Sequence, residues 1–206
     1  MTPQLSMFRP QLDGLPPVIL PAGCELRHFE PGDEGIWERV IGISFGKNPG
    51  DIPFGRSMLD PGCFLPERIL FIRRDGADVA TASAYVSPPT RLPDAGSLHY
   101  VGVLPGHTGL RLGYLVSLAC LHRMRAEGRQ RAILQTDDFR LPAIKTYLNL
   151  GFVPVLVDEN QRQRWRDVFA ALHLPELAER CARLLDGPVW QPPAIPPALS
   201  SGSPLP

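Results

Sequence analysis

Hydrophobic and polar positions in the first half of the chain predict a strand, a helix and a β-hairpin. A short strand at Cys24 to Phe29 comes first, and Asp33 follows it where a helix N-cap residue is expected. Apolar residues then recur at helical spacing from Glu34 to Phe45. The segments 68–73 and 77–86 are rich in branched residues. The Arg-Asp-Gly sequence between them predicts a tight turn, and together the three predict a β-hairpin.

The second half of the chain alternates strands and helices. The pattern predicts strands at Ser97 to Leu104, at Ala132 to Thr136 and at Phe152 to Val157. A helix that is apolar nearly all round, from about Gly109 to Gly128, and a shorter one at 142–150 lie between them. The element order therefore indicates a mixed α/β fold with one parallel strand–helix–strand crossover.

Proline marks both ends of the chain. Residues 1–22 form a proline-rich arm, which we expect to lie against the domain without making an element of its own. Residues 23–186 are predicted to be one domain, with two further helices after Asp158 and after Pro175. Residues 187–206 hold many prolines with glycine and serine, and are predicted to be a flexible tail.

Composition narrows the classes of function. The 206 residues carry a formal net charge of zero, which argues against binding to nucleic acid or to an anionic membrane. We find no apolar run of the roughly 18 to 20 residues that a membrane span needs and no signal-peptide pattern, so we expect a cytoplasmic protein, monomeric or homodimeric. Cysteines and histidines show neither disulfide-framework nor metal-ligand spacing, and no metal is predicted.

The stretch from Leu98 to Gly113 carries the clearest chemical signal. It runs from an apolar strand through a Pro-Gly turn into a helix. At a helix start the backbone N–H groups lack intrahelical partners, and the positive end of the helix dipole points the same way. Such a site attracts anions, so the stretch indicates a ligand that bears phosphate.

Two motifs carry a family resemblance. The chain reads V-G-V-L-P-G-H-T-G-L-R-L-G at 101–113 and P-A-I-K-T-Y-L-N-L-G-F at 142–152. Over residues 23–158 it resembles the GCN5-related N-acetyltransferase (GNAT) superfamily, and within it the single-domain bacterial proteins similar to mycothiol synthase. The resemblance implies a mostly antiparallel twisted sheet with helices on both faces. It also implies transfer of an acetyl group from acetyl-coenzyme A (acetyl-CoA) to a primary amine.

The resemblance assigns the cofactor contacts to two segments. The strand at Val101, Gly102 and Val103 would pair with the pantetheine amides, as if a strand were added. The pyrophosphate would lie on the loop and helix start, which comprise Thr108, Gly109, Leu110, Arg111, Leu112 and Gly113. Thr108 and Arg111 depart from the family pattern R/Q-x-x-G-x-G/A. Either the Arg111 guanidinium compensates by binding phosphate, or the loop has lost affinity for the cofactor.

Catalytic candidates come from three places. Tyr147 matches the family tyrosine that commonly lies by the sulfur, and it would act as the acid, although packing of a short helix also explains an aromatic residue there. His99 matches the catalytic histidine of arylalkylamine N-acetyltransferases, and strict alternation puts it on the same strand face as Val101; a half-buried structural histidine is the other interpretation. Asp137 would orient the amine or accept its proton through water, and capping a turn is its alternative role.

The sequence thus predicts an N-acyltransferase that uses acetyl-CoA as acyl donor and works by direct attack of a bound amine. The acceptor is a small-molecule amine or a protein amine, and the loops at 46–66 and 87–96 are expected to shape its site. A non-catalytic acyl-CoA-binding sensor is the competing hypothesis, because Thr108 and Arg111 leave the family pattern.

Overall fold

The computed structural model describes residues 3–59, 63–86 and 92–191. These residues form two compact units. We name residues 12–86 and 96–129 the central unit, and residues 3–11, 92–95 and 130–191 the terminal unit. Parts of both predicted acceptor loops, and the predicted tail from residue 192 onward, lie outside the described residues.

The described residues form the predicted strands and helices in the predicted order. In addition there is a strand at the start and a short helix within the loop at 46–66, and the helix predicted after Pro175 is divided into two. The strands are β1 (Leu5–Arg9), β2 (Cys24–His28), β3 (Ile69–Arg74), β4 (Ala77–Val86), β5 (Ala95–Val103), β6 (Arg131–Thr136) and β7 (Val153–Val155). The helices are α1 (Glu34–Ser44), α2 (Phe54–Met58), α3 (Leu112–Ala126), α4 (Leu141–Asn149), α5 (Gln161–Ala171), α6 (Pro175–Arg180) and α7 (Ala182–Leu185), with a 3₁₀ turn at Pro66–Arg68. The predicted α/β class is confirmed.

The central unit is built on an antiparallel sheet in the order β2-β3-β4-β5. Helices α1 and α3 pack on β4 from opposite faces of this sheet. On the α1 face, Trp37, Ile41, Phe54 and Phe71 form a fully or almost fully buried core. Helix α3 has buried residues on all sides, as its uniformly apolar sequence predicts.

The terminal unit contains a second antiparallel arrangement, in which β1 lies between β6 and β7. Leu5 is aligned with Thr136 of β6, and Ser6 is aligned with Val155 of β7. The expectation that the arm makes no element of its own is therefore wrong for 5–9. Pro3 and Pro10 flank a short apolar segment whose own N–H groups are intact, and that segment is long enough for one strand.

The start of α3 and the capping of α1 differ from the prediction. Helix α3 begins at Leu112 and not at Gly109, because Gly109 and Arg111 have φ angles of 84° and 58°, which are incompatible with a right-handed helix. Asp33 precedes α1 but forms no side-chain cap on it. Its Oδ2 accepts hydrogen bonds from the Arg27 guanidinium and from the Glu30 N–H, which hold the preceding turn instead.

Candidate functional site

The loop between β5 and α3 has the geometry of an anion site. Gly106, Gly109 and Arg111 all have left-handed backbone, with φ of 86°, 84° and 58°, and all three are exposed. The first bond of the helical ladder runs from Leu115 N to Arg111 O at 3.0 Å, so the N–H groups at 112–114 precede the first i−4 acceptor. Helix α3 has fifteen residues, and the positive end of its dipole lies at these donors.

Arg111 adopts a left-handed backbone conformation, which glycine takes without steric cost. A left-handed conformation costs a residue with a Cβ about 1–2 kcal/mol, so the conformation of Arg111 lowers the stability of the fold by about that amount. The guanidinium lies over the ring of Tyr114, 4.5 Å from its centroid. The side chain is exposed and held beside the helix start, where a cation adds to the attraction for phosphate.

Gly102 is required by the packing of α1 on β5. A Cβ at this position would lie 2.4 Å from Ser44 Oγ and 3.0 Å from Ile41 Cδ1. A Cβ on Gly113, in contrast, would make an ordinary contact of 3.4 Å with Val103 Cγ2. The structure therefore brings Val103 of the strand close to Gly113 of the helix start, and it gives Gly102 a structural reason to be glycine.

A β-bulge interrupts β5 at the centre of the predicted site. Thr81 of β4 is aligned with Gly102, and Ser83 is aligned with His99, so Tyr100 and Val101 together face one residue of β4. Tyr100 adopts a φ of 47°, in the left-handed region. No alternation in the sequence signals this bulge, because the segment reads as a continuous strand.

The bulge changes which residues share a face of β5. A Cβ on Gly96 would meet Met124 of α3, whereas one on Gly102 would meet Ile41 of α1, although both positions are even-numbered. Alternation has therefore shifted by one residue between them. The prediction that His99 shares a face with Val101 is wrong for this reason.

His99 lies among aromatic rings on the α1 side of the sheet. Its ring centroid is 4.1 Å from that of Tyr100 and 5.4 Å from that of Tyr85. Burial lowers the pKa of His99 to about 4, so the imidazole is neutral near pH 7. Such a histidine is a weak base, and its predicted catalytic role stays a prediction.

Tyr147 belongs to the terminal unit, on the buried side of α4. Its carbonyl accepts the Phe152 N–H at 3.0 Å, which ties the helix to the Gly-Phe pair that follows. Gly151 supplies the turn between them with a φ of 77°. Burial raises the pKa of the Tyr147 phenol well above its usual value, so the hydroxyl keeps its proton near neutral pH.

Asp137 follows β6 and is already engaged by nearby side chains. Its carboxylate accepts hydrogen bonds from Gln4 Nε2 and from Arg140 Nε, both at 2.9 Å. The neighbouring Asp138 pairs with Arg164 at 2.5 Å, and the hydrogen bonding to Arg164 lowers the pKa of Asp138. The contacts fit the turn-stabilising interpretation of Asp137, while a role toward the amine stays a prediction.

The described part of the chain contains neither a metal-binding cluster nor a helix that could cross a membrane. Residues 3–59, 63–86 and 92–191 hold no group of three or more His, Cys, Asp or Glu side chains placed to bind a metal ion. Within the same ranges, every helix is too short or too polar to cross a bilayer.

Comparison with known proteins identifies the family. The model of the acetyltransferase (GNAT) family matches residues 47–152, which include β5, the loop and α3. The chain belongs to the GNAT acetyltransferase family. A GCN5-related N-acetyltransferase structure from Sphaerobacter thermophilus has the same fold, with a TM-score of 0.56 and 21% identity over 74% of this chain and 49% of that one.

Similar curated proteins share one name. A mycothiol acetyltransferase from Thermomonospora curvata is 34% identical over 160 residues, covering 75% of this chain and 52% of the relative. A mycothiol acetyltransferase from Frankia casuarinae is 31% identical over 171 residues, covering 75% of this chain and 49% of the relative. The chain spans about half the length of the curated relatives it matches.

Proposed function

We propose that the protein is an acetyl-CoA-dependent N-acetyltransferase that transfers the acetyl group to a primary amine by direct attack. The observation that carries this proposal is the left-handed loop that presents free N–H groups at the start of α3, inside the segment that matches the family model. The name of the curated relatives supports acetyl as the transferred group.

The residues of the central unit suit the chemistry of coenzyme A. The N–H groups at 112–114 bind the pyrophosphate, and the Arg111 guanidinium adds a charged donor beside them. The backbone of Val101 and Val103 pairs with the pantetheine amides. Acetyl-CoA supplies an activated thioester, and the protein binds and orients it.

Attack by the amine nitrogen forms the new C–N bond and breaks the C–S bond. A backbone N–H of the Val101 to Val103 segment donates to the oxygen that gains negative charge. Tyr147 gives its phenolic proton to the departing sulfur, and the proton that the attacking nitrogen loses as it becomes an amide nitrogen restores the phenol through water. The phenol of Tyr147 is protonated near neutral pH at its ordinary pKa, and burial raises that pKa further, so the kinetic test and not the protonation state decides the acid role.

Release of free thiol from acetyl-CoA tests this function. The full chain is incubated with acetyl-CoA and a panel of small primary amines and lysine-containing peptides, and thiol formation is followed by a colour reagent. We expect amine-dependent thiol release, and Tyr147→Phe should reduce kcat at least about tenfold without changing CoA affinity. An unchanged kcat in that variant would remove Tyr147 from the acid role.

A non-catalytic acyl-CoA sensor is the second candidate. The strained Arg111 and the short Thr108 side chain favour it, because both change the loop where the family binds phosphate. Calorimetry with acetyl-CoA separates the two hypotheses. Tight binding together with no thiol release on any amine or peptide identifies the sensor.

A further inference from the structure

The terminal unit contains a cavity of about 460 Å³ that is lined by β1, by β6 and by the segment around Trp190. We name it the Trp190 cavity. Ile133, Val157 and Trp190 form apolar parts of its wall, and Ser6 and Gln135 add polar atoms. None of the described residues that line it is charged, and none is a cofactor or catalytic candidate. Its volume falls within the roughly 300 to 1,000 Å³ of small-molecule sites, so it is large enough to hold a ligand that acetyl transfer does not account for.

The hydroxyl of Ser6 borders this cavity and has no partner among the described residues. Ser6 is 6% exposed, and its Oγ forms no hydrogen bond with any described residue. Because side chains alternate along a strand, Ser6 lies on the same face of β1 as Phe8. The Phe8 ring packs against Trp190 at a centroid distance of 6.1 Å, so the hydroxyl is on the side of the strand that Trp190 covers. Buried hydroxyls are normally hydrogen-bonded, and a ligand in the cavity would supply the missing partner.

Hydrogen bonds hold the walls of the Trp190 cavity in place without using its polar side chains. Gln161 is fully buried, and its Nε2 donates to Gln4 O at 2.7 Å while its Oε1 accepts the Val157 N–H at 3.0 Å. Gln161 thus joins the start of β1 to the segment after β7. The Trp190 N–H donates to Leu156 O at 2.6 Å, which fixes the third wall. The cavity is therefore preformed, and a ligand need not order the protein in order to bind.

The chemistry of the lining selects a neutral aromatic ligand. A site without charged side chains cannot compensate an ion that leaves water, so carboxylates, phosphates and ammonium groups are disfavoured. The ring of Trp190 offers a partner for a second aromatic ring in offset or edge-to-face geometry. The Ser6 hydroxyl and the Gln135 carboxamide can each donate and accept a hydrogen bond, and the Gln135 side chain makes none with a described residue.

We propose that the Trp190 cavity binds an uncharged aromatic molecule that carries an amide or a hydroxyl group. The ring of this ligand packs against Trp190, and its polar group forms a hydrogen bond with the Ser6 hydroxyl. All of the described lining belongs to the terminal unit, and binding needs neither acetyl-CoA nor an acceptor amine. The binding site and the proposed acetyltransferase function can therefore fail separately.

Two probes of nearly the same shape test the proposal. 2-Naphthamide is neutral and 2-naphthoate is an anion at pH 7, and the affinity of the full chain for each is measured by calorimetry, with and without saturating CoA. We expect 2-naphthamide to bind at least about tenfold more tightly, because the cavity cannot compensate the charge of the carboxylate. Its affinity should be the same when CoA is present. Equal affinities for the two probes, no binding of the amide, or displacement of the amide by CoA overturns the proposal.

Variants of the lining locate the bound amide. Ser6→Ala should weaken binding of 2-naphthamide about three- to tenfold, and the fold should tolerate it because the hydroxyl that is removed has no partner among the described residues. Trp190→Leu should weaken binding at least about fivefold, since the ring pairing is lost. Ser117→Ala is the matched control, because Ser117 Oγ is also buried without a partner among the described residues but lies in α3 of the central unit. That control should keep the wild-type affinity. Wild-type affinity in both Ser6→Ala and Trp190→Leu would show that the amide binds elsewhere, and would overturn the assignment of the cavity.

Discussion

Replacing Gly102 by alanine tests the packing of α1 on β5. The new Cβ would lie 2.4 Å from Ser44 Oγ, 3.0 Å from Ile41 Cδ1 and 3.2 Å from Ser44 Cβ. Oxygen and carbon atoms in contact need more than about 3 Å, so Ser44 must move by nearly an ångström. The Ser44 hydroxyl donates to Ile41 O at 3.1 Å, and the movement weakens that bond as well.

The expected loss follows from these two effects. Overpacking of a closed site costs about 1–3 kcal/mol, and a disturbed hydrogen bond costs about 0.5–1.5 kcal/mol. Gly102→Ala should therefore lower the free energy of unfolding by about 2–3 kcal/mol in urea at pH 7. Gly35→Ala is the matched control, because Gly35 lies in α1 and a Cβ added there would have no heavy atom within 4 Å. That control should gain about 0.5–1 kcal/mol from helix propensity.

The double variant Ser44→Gly with Gly102→Ala isolates the contact. Two of the three atoms nearest to the new methyl group belong to the Ser44 side chain, and the third is the flexible end of Ile41, so removing the Ser44 side chain should recover at least about half of the loss. If Gly102→Ala stays within about 0.5 kcal/mol of wild type, or if the two substitutions are additive, the steric argument fails. A reduced CoA affinity with unchanged stability would instead make Gly102 a cofactor contact.

Three further predictions concern charge and conformation. Burial alone would raise the pKa of Asp33, but hydrogen bonds from Arg27 outweigh burial and the pKa is lowered. Asp33→Asn should therefore lower the free energy of unfolding by about 1.5–3 kcal/mol at pH 7. The difference in unfolding free energy between wild type and variant should close as the pH falls below about 4. A gap that persists at low pH would contradict the ion pair. Because burial lowers the pKa of His99 to about 4, the free energy of unfolding of the wild type should fall by up to about 3 kcal/mol between pH 6.5 and pH 4. His99→Asn should reduce this dependence of the unfolding free energy on pH, as measured by urea titrations. The same dependence in wild type and variant would refute the role of His99. Arg111→Gly should stabilise the fold by about 1 kcal/mol while weakening CoA binding about five- to tenfold by calorimetry, and tighter binding would show that the guanidinium obstructs the phosphate.

Periodicity was sufficient for most elements, including the strand and the helix on either side of the loop at 104–111. It could not reveal the bulge at Tyr100, because a bulge is set by how two strands align and not by the hydrophobicity of either one. For that reason the face shared by His99 and Val101 was mispredicted. The burial of Tyr147 was compatible with both interpretations of its sequence position. The acid role remains open to the kinetic test.

The placement of β1 also bears on how the chain folds during synthesis. Leu5–Arg9 is synthesised well before its partners, because it pairs with β6, about 125 residues later, and with β7, later still. Contacts so distant in sequence form slowly, because the entropy of closing a long loop is lost before the strand pairing stabilises the chain. Until then Leu5, Met7 and Phe8, which are fully buried in the folded chain, stay exposed to water. The terminal unit therefore depends on synthesis of β7, and the first strand needs protection from aggregation in the meantime.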